Sequence, residues 1–331
     1  MTHLTVLNAL KYTHTFFLAL VFLVVVSPHA VYSFEGPLAV KNQYPLSLHV
    51  NQPYLEKASM ENSLSAGLSH SSIYTVQNSS EWVINLDMEI TELNLRYKRI
   101  IQDFIEFSVE VPVLGFSDGF MDGFLESYHS TFGFPDYGRS RRPLNSFLYE
   151  VRKNGTRVVE GETGAGLGDI RIALKKPLIT LEGFSLGVKG EVELPTGRAK
   201  KGYGNGSVDA GVSVLVDKII SRFIMTYWNI GAVFPGNVKG YQETDLENFI
   251  YGGVAVETYP GENFSFIVQL QGQSAVYPET EISAVDRPAF LLALGGRYKT
   301  GKGALELSLT EDISTSGAPD FIINFSYKIK L

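Results

Sequence analysis

The stretch FIINFSYKIKL, residues 321–331, alternates between apolar and polar side chains. From Phe321 onward every odd position is apolar or aromatic, and from Asn324 onward every even position is polar. Successive side chains of a β-strand point to opposite faces, so this pattern predicts a strand with one apolar and one polar face. A soluble sandwich and a membrane barrel both use such strands, so one segment does not decide between them.

Other segments repeat this alternation, and it is clearest in residues 105–113, 184–194, 208–217, 264–273 and 305–310. The chain also contains 17 Tyr, 21 Phe and 32 Gly, a combination that suits a transmembrane barrel with aromatic girdles and tight turns. We therefore predict an all-β fold in which an antiparallel barrel crosses a membrane. The apolar face would meet lipid and the polar face would line the lumen.

The first 33 residues are predicted to be a secretory signal peptide. They contain Lys11, no acidic residue and the apolar run Phe16–Val26, which is shorter than the roughly 20 residues of a membrane-spanning helix. An uncleaved anchor is the alternative. Cleavage after Ser33 would leave residues 34–62 as a periplasmic segment leading into a barrel at 63–331. The absence of cysteine argues against a secreted eukaryotic protein and a lipoprotein.

The connections between the predicted strands alternate in length. Short turns at 179–183, 219–222, 260–263 and 300–302 alternate with longer loops, as they do in outer-membrane barrels. Counting back from the C-terminus gives twelve strands, near 63–74, 83–99, 104–113, 166–177, 183–195, 207–218, 223–234, 248–259, 264–277, 288–299, 303–313 and 319–331. A hairpin across Asn154-Gly155, within 146–162, would raise the count to fourteen if it joined the wall.

The strand predicted at 83–99 changes its apolar phase. Its apolar residues occupy even positions from Trp82 to Ile90 and odd positions from Leu93 to Tyr97. A hairpin would need Gly, Asn or Asp at the change, but Thr91-Glu92 stands there. We therefore expect a β-bulge, which shifts the phase by one residue without reversing the chain and keeps the strand number even.

Several landmarks resemble a bacterial outer-membrane barrel family, catalogued as domain of unknown function 3187. They are GPLAVKNQYPL (36–46), LDMEITELNLRY (86–97), DGFLESYHSTFGFPDYGR (122–139), GLGDI (166–170) and ELPTG (193–197). The resemblance covers essentially the whole chain after the signal peptide. It implies a barrel in the bacterial outer membrane, which would meet the secretion and barrel-assembly machinery during biogenesis. It implies no established activity and assigns no catalytic residue.

The stretch GFSDG, residues 115–119, matches the G-x-S-x-G pattern of a serine-hydrolase nucleophile elbow. That elbow follows a buried parallel strand, whereas residues 104–113 alternate apolar and polar. His129 lies twelve residues from Ser117, too far along a helix for a hydrogen bond. We therefore predict that the protein is not an enzyme.

The long loop at 114–165 is predicted to contain a helix, near 118–131, that folds over or into the barrel mouth. Asp122, Glu126 and His129 share one face of this helix. Two interpretations stay open: these side chains ligate a divalent ion, or they pair with nearby arginines and hold the loop. The candidate cluster comprises Asp118, Asp122, Glu126, His129, Arg139, Arg141 and Arg142.

The predicted inner face carries charges of both signs, which would pair inside a narrow barrel. The lumen-lining candidates are Asp169, Arg171, Lys189, Glu191, Glu193, Asp209, Gln269, Gln271, Arg297 and Lys328. We expect a monomer that contacts membrane lipid and forms a narrow or gated channel for a small solute. A non-conducting barrel with a binding or envelope-structural role is the alternative. We expect no cofactor, and no clustered basic face for nucleic acid.

Overall fold

Twelve antiparallel strands close into a barrel in a computed structural model, which describes residues 34–46, 50, 53–133, 142–314 and 316–331. The predicted signal peptide, residues 1–33, lies outside this range. For Tyr128, His129 and Phe132 only the backbone is described. The all-β barrel and its twelve strands are therefore confirmed. No helix in the described residues is long and apolar enough to cross a membrane.

The chain contains seventeen strands and two α-helices in the described ranges. The strands are β1 (Ser63–Asn78), β2 (Trp82–Ile101), β3 (Ile105–Ser117), β4 (Leu148–Lys153), β5 (Thr156–Glu160), β6 (Gly164–Leu167), β7 (Ile170–Leu181), β8 (Phe184–Leu194), β9 (Asp209–Ser221), β10 (Ile224–Phe234), β11 (Val238–Lys239), β12 (Glu243–Thr244), β13 (Phe249–Thr258), β14 (Phe264–Gln273), β15 (Ala289–Lys299), β16 (Gly303–Asp312) and β17 (Phe321–Lys330). The helices are α1 (Asp122–Phe132) and α2 (Ser283–Asp286).

The wall consists of β1–β3, β7–β10 and β13–β17, and it closes where β1 pairs with β17. We call the end with the short connections, such as 182–183 and 300–302, the turn end, and the opposite end the loop end. Side chains alternate between the two faces, apart from register shifts near the turn end in the β7–β8 and β9–β10 pairs. In β17, for example, Asn324 points into the lumen and is buried, whereas Phe325 points outward and is 49% exposed.

The expected bulge in β2 is wrong. The register between β1 and β2 runs without a shift from Ser63↔Lys98 to Asn78↔Val83, so even residues of β2 point inward along its whole length. Near the turn end these are Glu92 and other polar residues, whereas near the loop end Trp82 to Ile90 enter an apolar core. The apolar phase changes because the filling of the lumen changes.

The predicted hairpin across Asn154-Gly155 forms but does not enter the wall. Both residues have positive φ, +50° and +75°, as a two-residue hairpin turn requires. Strand β4 pairs with β2 over Trp82–Asp87, beyond the end of β3. Val151 and Val159 of the hairpin join the apolar core at the loop end. The hairpin therefore covers the mouth, and the fourteen-strand alternative is not realised.

The prediction that the loop helix lies over or inside the mouth is wrong, because α1 packs on the outer face of the barrel. Met121 and Leu125 contact Phe321, an outward residue of β17. The outward carboxylate of Glu89 accepts hydrogen bonds from the backbone N–H groups of Phe120 (2.9 Å) and Met121 (2.5 Å). A buried carboxylate at the start of the helix thus fixes α1 to the wall.

Leu125→Ala should loosen α1, because Leu125 is fully buried and its truncation costs about 2–5 kcal/mol in typical cores. Hydrogen exchange of the α1 amides should become faster. Gly123→Ala is the control, since a Cβ at this exposed position meets no atom within 4 Å and alanine favours helix. Equal acceleration in both variants would contradict the packing described above.

Candidate functional site

The described residues of the N-terminal segment (residues 34–62) lie inside the lumen, not in a periplasmic segment ahead of the barrel as expected. The chain enters at the turn end, where Glu35 meets Lys328, and reaches the loop end, where Tyr44 meets Thr75. It then returns past Tyr54 to β1 at the turn end. The described part forms neither helix nor strand, so its backbone polar groups need other partners.

Wall side chains supply those partners. The side-chain oxygen of Gln269 accepts a hydrogen bond from the Leu38 N–H (2.9 Å), and its amide donates to the Leu38 carbonyl (3.3 Å). Gln271 donates to the Val40 carbonyl (3.3 Å). Arg297 donates to the carbonyl of Gly36 (3.0 Å) while it pairs with Glu257 (2.8 Å) and Glu306 (2.5 Å). These interactions replace a backbone ladder.

A cluster of charges surrounds Tyr54 at mid-height in the lumen. Its hydroxyl donates to Glu110 (3.1 Å), and the Arg96 guanidinium lies 4.0 Å from the centre of its ring. Arg96 also pairs with Glu110 (2.8 Å). Lys41 of the segment bridges Glu110 and Glu92, the latter at 3.0 Å. Lys41, Glu92 and Glu110 are buried and Arg96 is mostly so, and buried charges need partners.

Glu56 forms a second link between the segment and the wall. Its carboxylate pairs with Lys98 (2.5 Å) and Lys189 (2.9 Å). Its backbone N–H and carbonyl both bond to the side-chain amide of Asn229, at 2.7 and 3.0 Å. Nearby, the carboxylate of Asp217 accepts a hydrogen bond from the Ala58 N–H (2.9 Å). The returning leg is therefore fixed on several strands at once.

Glu35 fixes the segment at the turn end, where it pairs with Lys328 (3.2 Å) and Lys330. Burial by itself would raise the pKa of Glu35, but the charges of Lys328 and Lys330 outweigh it and lower this pKa to about 2. Its ordinary value is 4.5, so the charged form is favoured when the segment is docked. This contribution is complete above pH 4.5 and is lost as the pH falls toward 2.

The loop end of the lumen is closed by apolar packing. Tyr44, Leu46 and Val50 of the segment belong to a buried cluster with residues of β2, of the β4–β5 hairpin and of the loop-end loops. Trp82 and Tyr149 are among the largest side chains in this cluster, and both are at most 2% exposed. The lumen is therefore closed to solute in this conformation.

Asp169 and Asp209, two of the predicted lumen residues, hold loops at the loop end. Asp169 of GLGDI accepts from the N–H groups of Gly197 in ELPTG (2.6 Å) and Asn205 (3.1 Å). Burial raises the pKa of Asp169 to about 6 despite these bonds. Asp209 accepts from the Asn205 side chain (2.7 Å) and from the Gly236 N–H (2.8 Å). The carboxylate of Asp169 thus joins the GLGDI and ELPTG motifs.

Arg171, Glu191 and Glu193 are brought together in the lumen beside the Tyr54 cluster. Arg171 lies 3.8 Å from Glu191 and 3.7 Å from Glu193 at the nearest N···O approach. Lys189 lies closer to Glu191, at 3.0 Å. All four side chains are buried, so these charges neutralise one another. Paired charges therefore occupy this part of the lumen.

The structure describes the side chains of four external-loop candidates, Asp118, Asp122, Glu126 and Arg142. Asp122 is buried and accepts a hydrogen bond from the Asn145 N–H (2.7 Å), whereas Asp118 is exposed. Arg142 pairs with Asp87 of β2 (2.5 Å). Glu126 is partly exposed, and the side chain of His129, like Arg139 and Arg141, lies outside the described residues. Within those residues no group of three potential metal ligands comes together.

GFSDG ends β3 and then leaves the wall toward α1. Gly119 has φ +74°, and a Cβ there would lie 1.9 Å from the Glu89 carboxyl carbon, so this position requires glycine. Ser117 lies opposite Glu89 in the β2–β3 register. Glu89 pairs with His70 (2.7 Å) on β1, whose other ring nitrogen contacts Thr91 (2.8 Å). The glycines thus serve the exit of the chain from the barrel.

Sequence reasoning missed the residues that dock the segment, above all Tyr54, Glu56, Glu92 and Glu110. Glu92 follows the inward even phase of β2, and an unbroken phase would have identified it together with Arg96. The segment itself has no period of two or 3.6, so periodicity cannot place it.

Glu35→Gln should weaken docking at the turn end by about 1–2 kcal/mol, because Lys328 keeps only Glu61 as a charged partner and Lys330, which keeps access to water, loses Glu35. Hydrogen exchange of the amides of residues 34–46 at pH 7 should become faster. Glu262→Gln, at an exposed turn-end position, should leave it unchanged. The docking role of Glu35 would be refuted by equal rates in the two variants.

Comparison with solved structures identifies the fold. The COG4313 outer membrane channel from Pseudomonas putida F1 aligns over 93% of this chain and 100% of its own, with a TM-score of 0.56 and 11% identity. The NanC porin aligns over 82% of this chain and 100% of its own, with a TM-score of 0.47 and 9% identity. The Pseudomonas putida toluene transporter TodX covers 83% of this chain and 91% of its own, with a TM-score of 0.40 and 9% identity.

No curated protein matches the sequence. The profile of a family described as protein of unknown function DUF3187 matches residues 14–331, which is nearly the whole chain. The resemblance seen in the sequence landmarks is therefore confirmed, and the chain belongs to the DUF3187 family.

Proposed function

We propose that the protein is an outer-membrane channel for small solutes and that the N-terminal segment is its gate. The observation that carries this proposal is the manner in which the lumen is filled. The described part of the segment contributes no strand to the barrel, and wall side chains hold it by hydrogen bonds and ion pairs. The segment can therefore leave without breaking any hydrogen bond between the wall strands.

The apolar outer face of the barrel supports a location in a membrane. Outward residues such as Leu64, Leu95 and Phe325 are 44–49% exposed, which in water would be an unusually large apolar surface. In a bilayer the same surface meets acyl chains, and the short turns would face the periplasm as they do in outer-membrane barrels. The fold shared with the outer membrane channel from Pseudomonas putida F1 supports the same location.

Gating suits this lumen better than free diffusion. An open passive pore needs a continuous aqueous path, but Tyr44 and Leu46 seal the loop end with apolar contacts. Below them a smaller apolar cluster holds Leu38, Val40 and Leu55 against the wall, and the other interactions are polar. Water can replace polar partners when the segment moves. The charges left on the wall are of both signs. The open lumen would therefore be polar, without a strong preference for cations or anions.

Gly295→Leu tests the gate by removing the space for the segment. A Cβ at Gly295 would lie 2.7 Å from Cδ2 of Leu38, which is fully buried, so a leucine there must displace the segment. The variant should raise single-channel conductance in planar bilayers above that of the unmodified protein. Gly190→Leu is the matched control, because a Cβ at that position meets no atom within 4 Å.

Hydrogen exchange of residues 34–46 shows whether the Gly295→Leu substitution has displaced the segment. Displacement without any rise in conductance would overturn the channel and favour a barrel with a binding or structural role. The channel would also be overturned if the two variants had equal conductance while only Gly295→Leu displaced the segment.

A further inference from the structure

A cavity of about 100 Å³ remains in the lumen beside the docked segment. It lies between the segment and the wall of β1, β2, β16 and β17. It begins at the turn end, near Ser63 and Lys328, and reaches Ser69, Ile322 and Gln43 about halfway along the barrel. We infer that solute passes along this wall and that the path selects small uncharged molecules that form hydrogen bonds.

On β1 and β17 most of the side chains that line the cavity are small and neutral. In the β1–β17 register, inward Ser65 faces Lys328, Gly67 faces Ser326 and Ser69 faces Asn324. The other side of the lumen differs, because Asn229 and Gln269 extend from it to bond the segment backbone. The space exists where the wall side chains are short, so its position is a property of the sequence of β1 and β17.

The charges around the cavity are balanced. Six cationic and five anionic side chains line it. Pairs such as Lys41–Glu92 (3.0 Å), Arg297–Glu306 (2.5 Å) and Lys328–Glu61 (3.2 Å) neutralise one another. A charged solute would have to leave water without an unpaired partner to receive it, which is costly. An uncharged solute avoids this cost.

Two polar groups at the cavity, one on the segment and one on the wall, have no hydrogen-bond partner among the described residues. They are the side-chain oxygen of Gln43, an acceptor, and the side-chain nitrogen of Asn324, a donor. Both residues line the cavity and are at most 6% exposed. Buried polar groups are normally satisfied, so water or a solute with both a donor and an acceptor would satisfy them.

Cysteine labelling tests the position of the path, since the chain contains no cysteine. Ser65→Cys and Ser326→Cys place a thiol on the cavity wall, and Ser213→Cys places one on the opposite side of the lumen, in β9, where it is buried. The probe is methyl methanethiosulfonate, which is small and uncharged. Modification, followed by mass spectrometry, should be at least about tenfold faster at the first two positions.

Flux through the labelled proteins tests passage itself and rests on the proposed function. Tyr44→Ala serves as the background, because it removes the ring that packs at the loop end above the cavity. Glycerol uptake into liposomes should exceed that of lysine or glutamate. Modification of the thiol in the Ser65→Cys variant should reduce glycerol uptake, and treatment of the Ser213→Cys variant should not.

The two readouts separate the possible failures. Equal labelling rates at the three positions would overturn the assignment of the path, whatever the result of the uptake measurement. Fast labelling of Ser65→Cys that leaves glycerol uptake intact would also overturn it. If labelling is fast but no variant takes up any solute, passage and the channel function are refuted. The cavity would still be shown to connect to solvent. Faster uptake of lysine or glutamate than of glycerol would refute the selection of uncharged solutes.

Discussion

A charged group enclosed in a lumen that is closed to bulk water needs an opposite charge within a few ångströms, because desolvation costs several kcal/mol per ion. The inner wall of this barrel carries many such groups, and many of them pair with neighbouring strands. The N-terminal segment adds further partners: Lys41 for Glu92 and Glu110, and Glu56 for Lys98 and Lys189. The docked segment is therefore the electrostatic complement of the wall.

The same constraint explains why the segment can act as a gate. A lumen filled by large apolar side chains would lose contacts that water cannot replace. Here charged and polar side chains dominate the turn-end half, and the apolar contacts are the loop-end cluster and a smaller cluster of Leu38, Val40 and Leu55 with the wall. Opening therefore requires these two apolar contacts to separate, after which water can enter and solvate the charges of the lumen. Paired charges of both signs then leave a lumen that discriminates weakly between ions.

Alternation with period two and the alternating lengths of the connections were sufficient to predict the twelve strands, because the barrel wall itself imposes both patterns. The bulge in β2 was inferred from the same rule and was wrong, since the even residues from Trp82 to Ile90 are apolar and still point inward. That rule assumes a polar lumen throughout. The positions of the segment and of α1 depend on single contacts, such as Glu56 with Lys189 and Glu89 with the Met121 N–H, which no local pattern records.

The same limit applies to the predicted site residues, because a local pattern gives their position but not their partners. The inward charges of β7 and β8 follow from strand phase, but their partners Tyr54 and Glu56 lie more than a hundred residues away in the chain. Gln269 and Gln271 were predicted to line the lumen, and there they bond the backbone of the segment. Periodicity therefore predicts which side chains enter the lumen, and only the folded chain shows what they bind.

The most direct measurement is the conductance of a chain carrying Leu38→Cys and Gly295→Cys in planar bilayers, before and after reduction. These positions are adjacent, since a Cβ at Gly295 lies 2.7 Å from Cδ2 of Leu38. Once mass spectrometry shows the disulfide, the segment is fixed to the wall. If the segment is the gate, the oxidised protein should not conduct, and reduction should restore the conductance of the unmodified chain. Equal conductance in the oxidised and reduced states would contradict it.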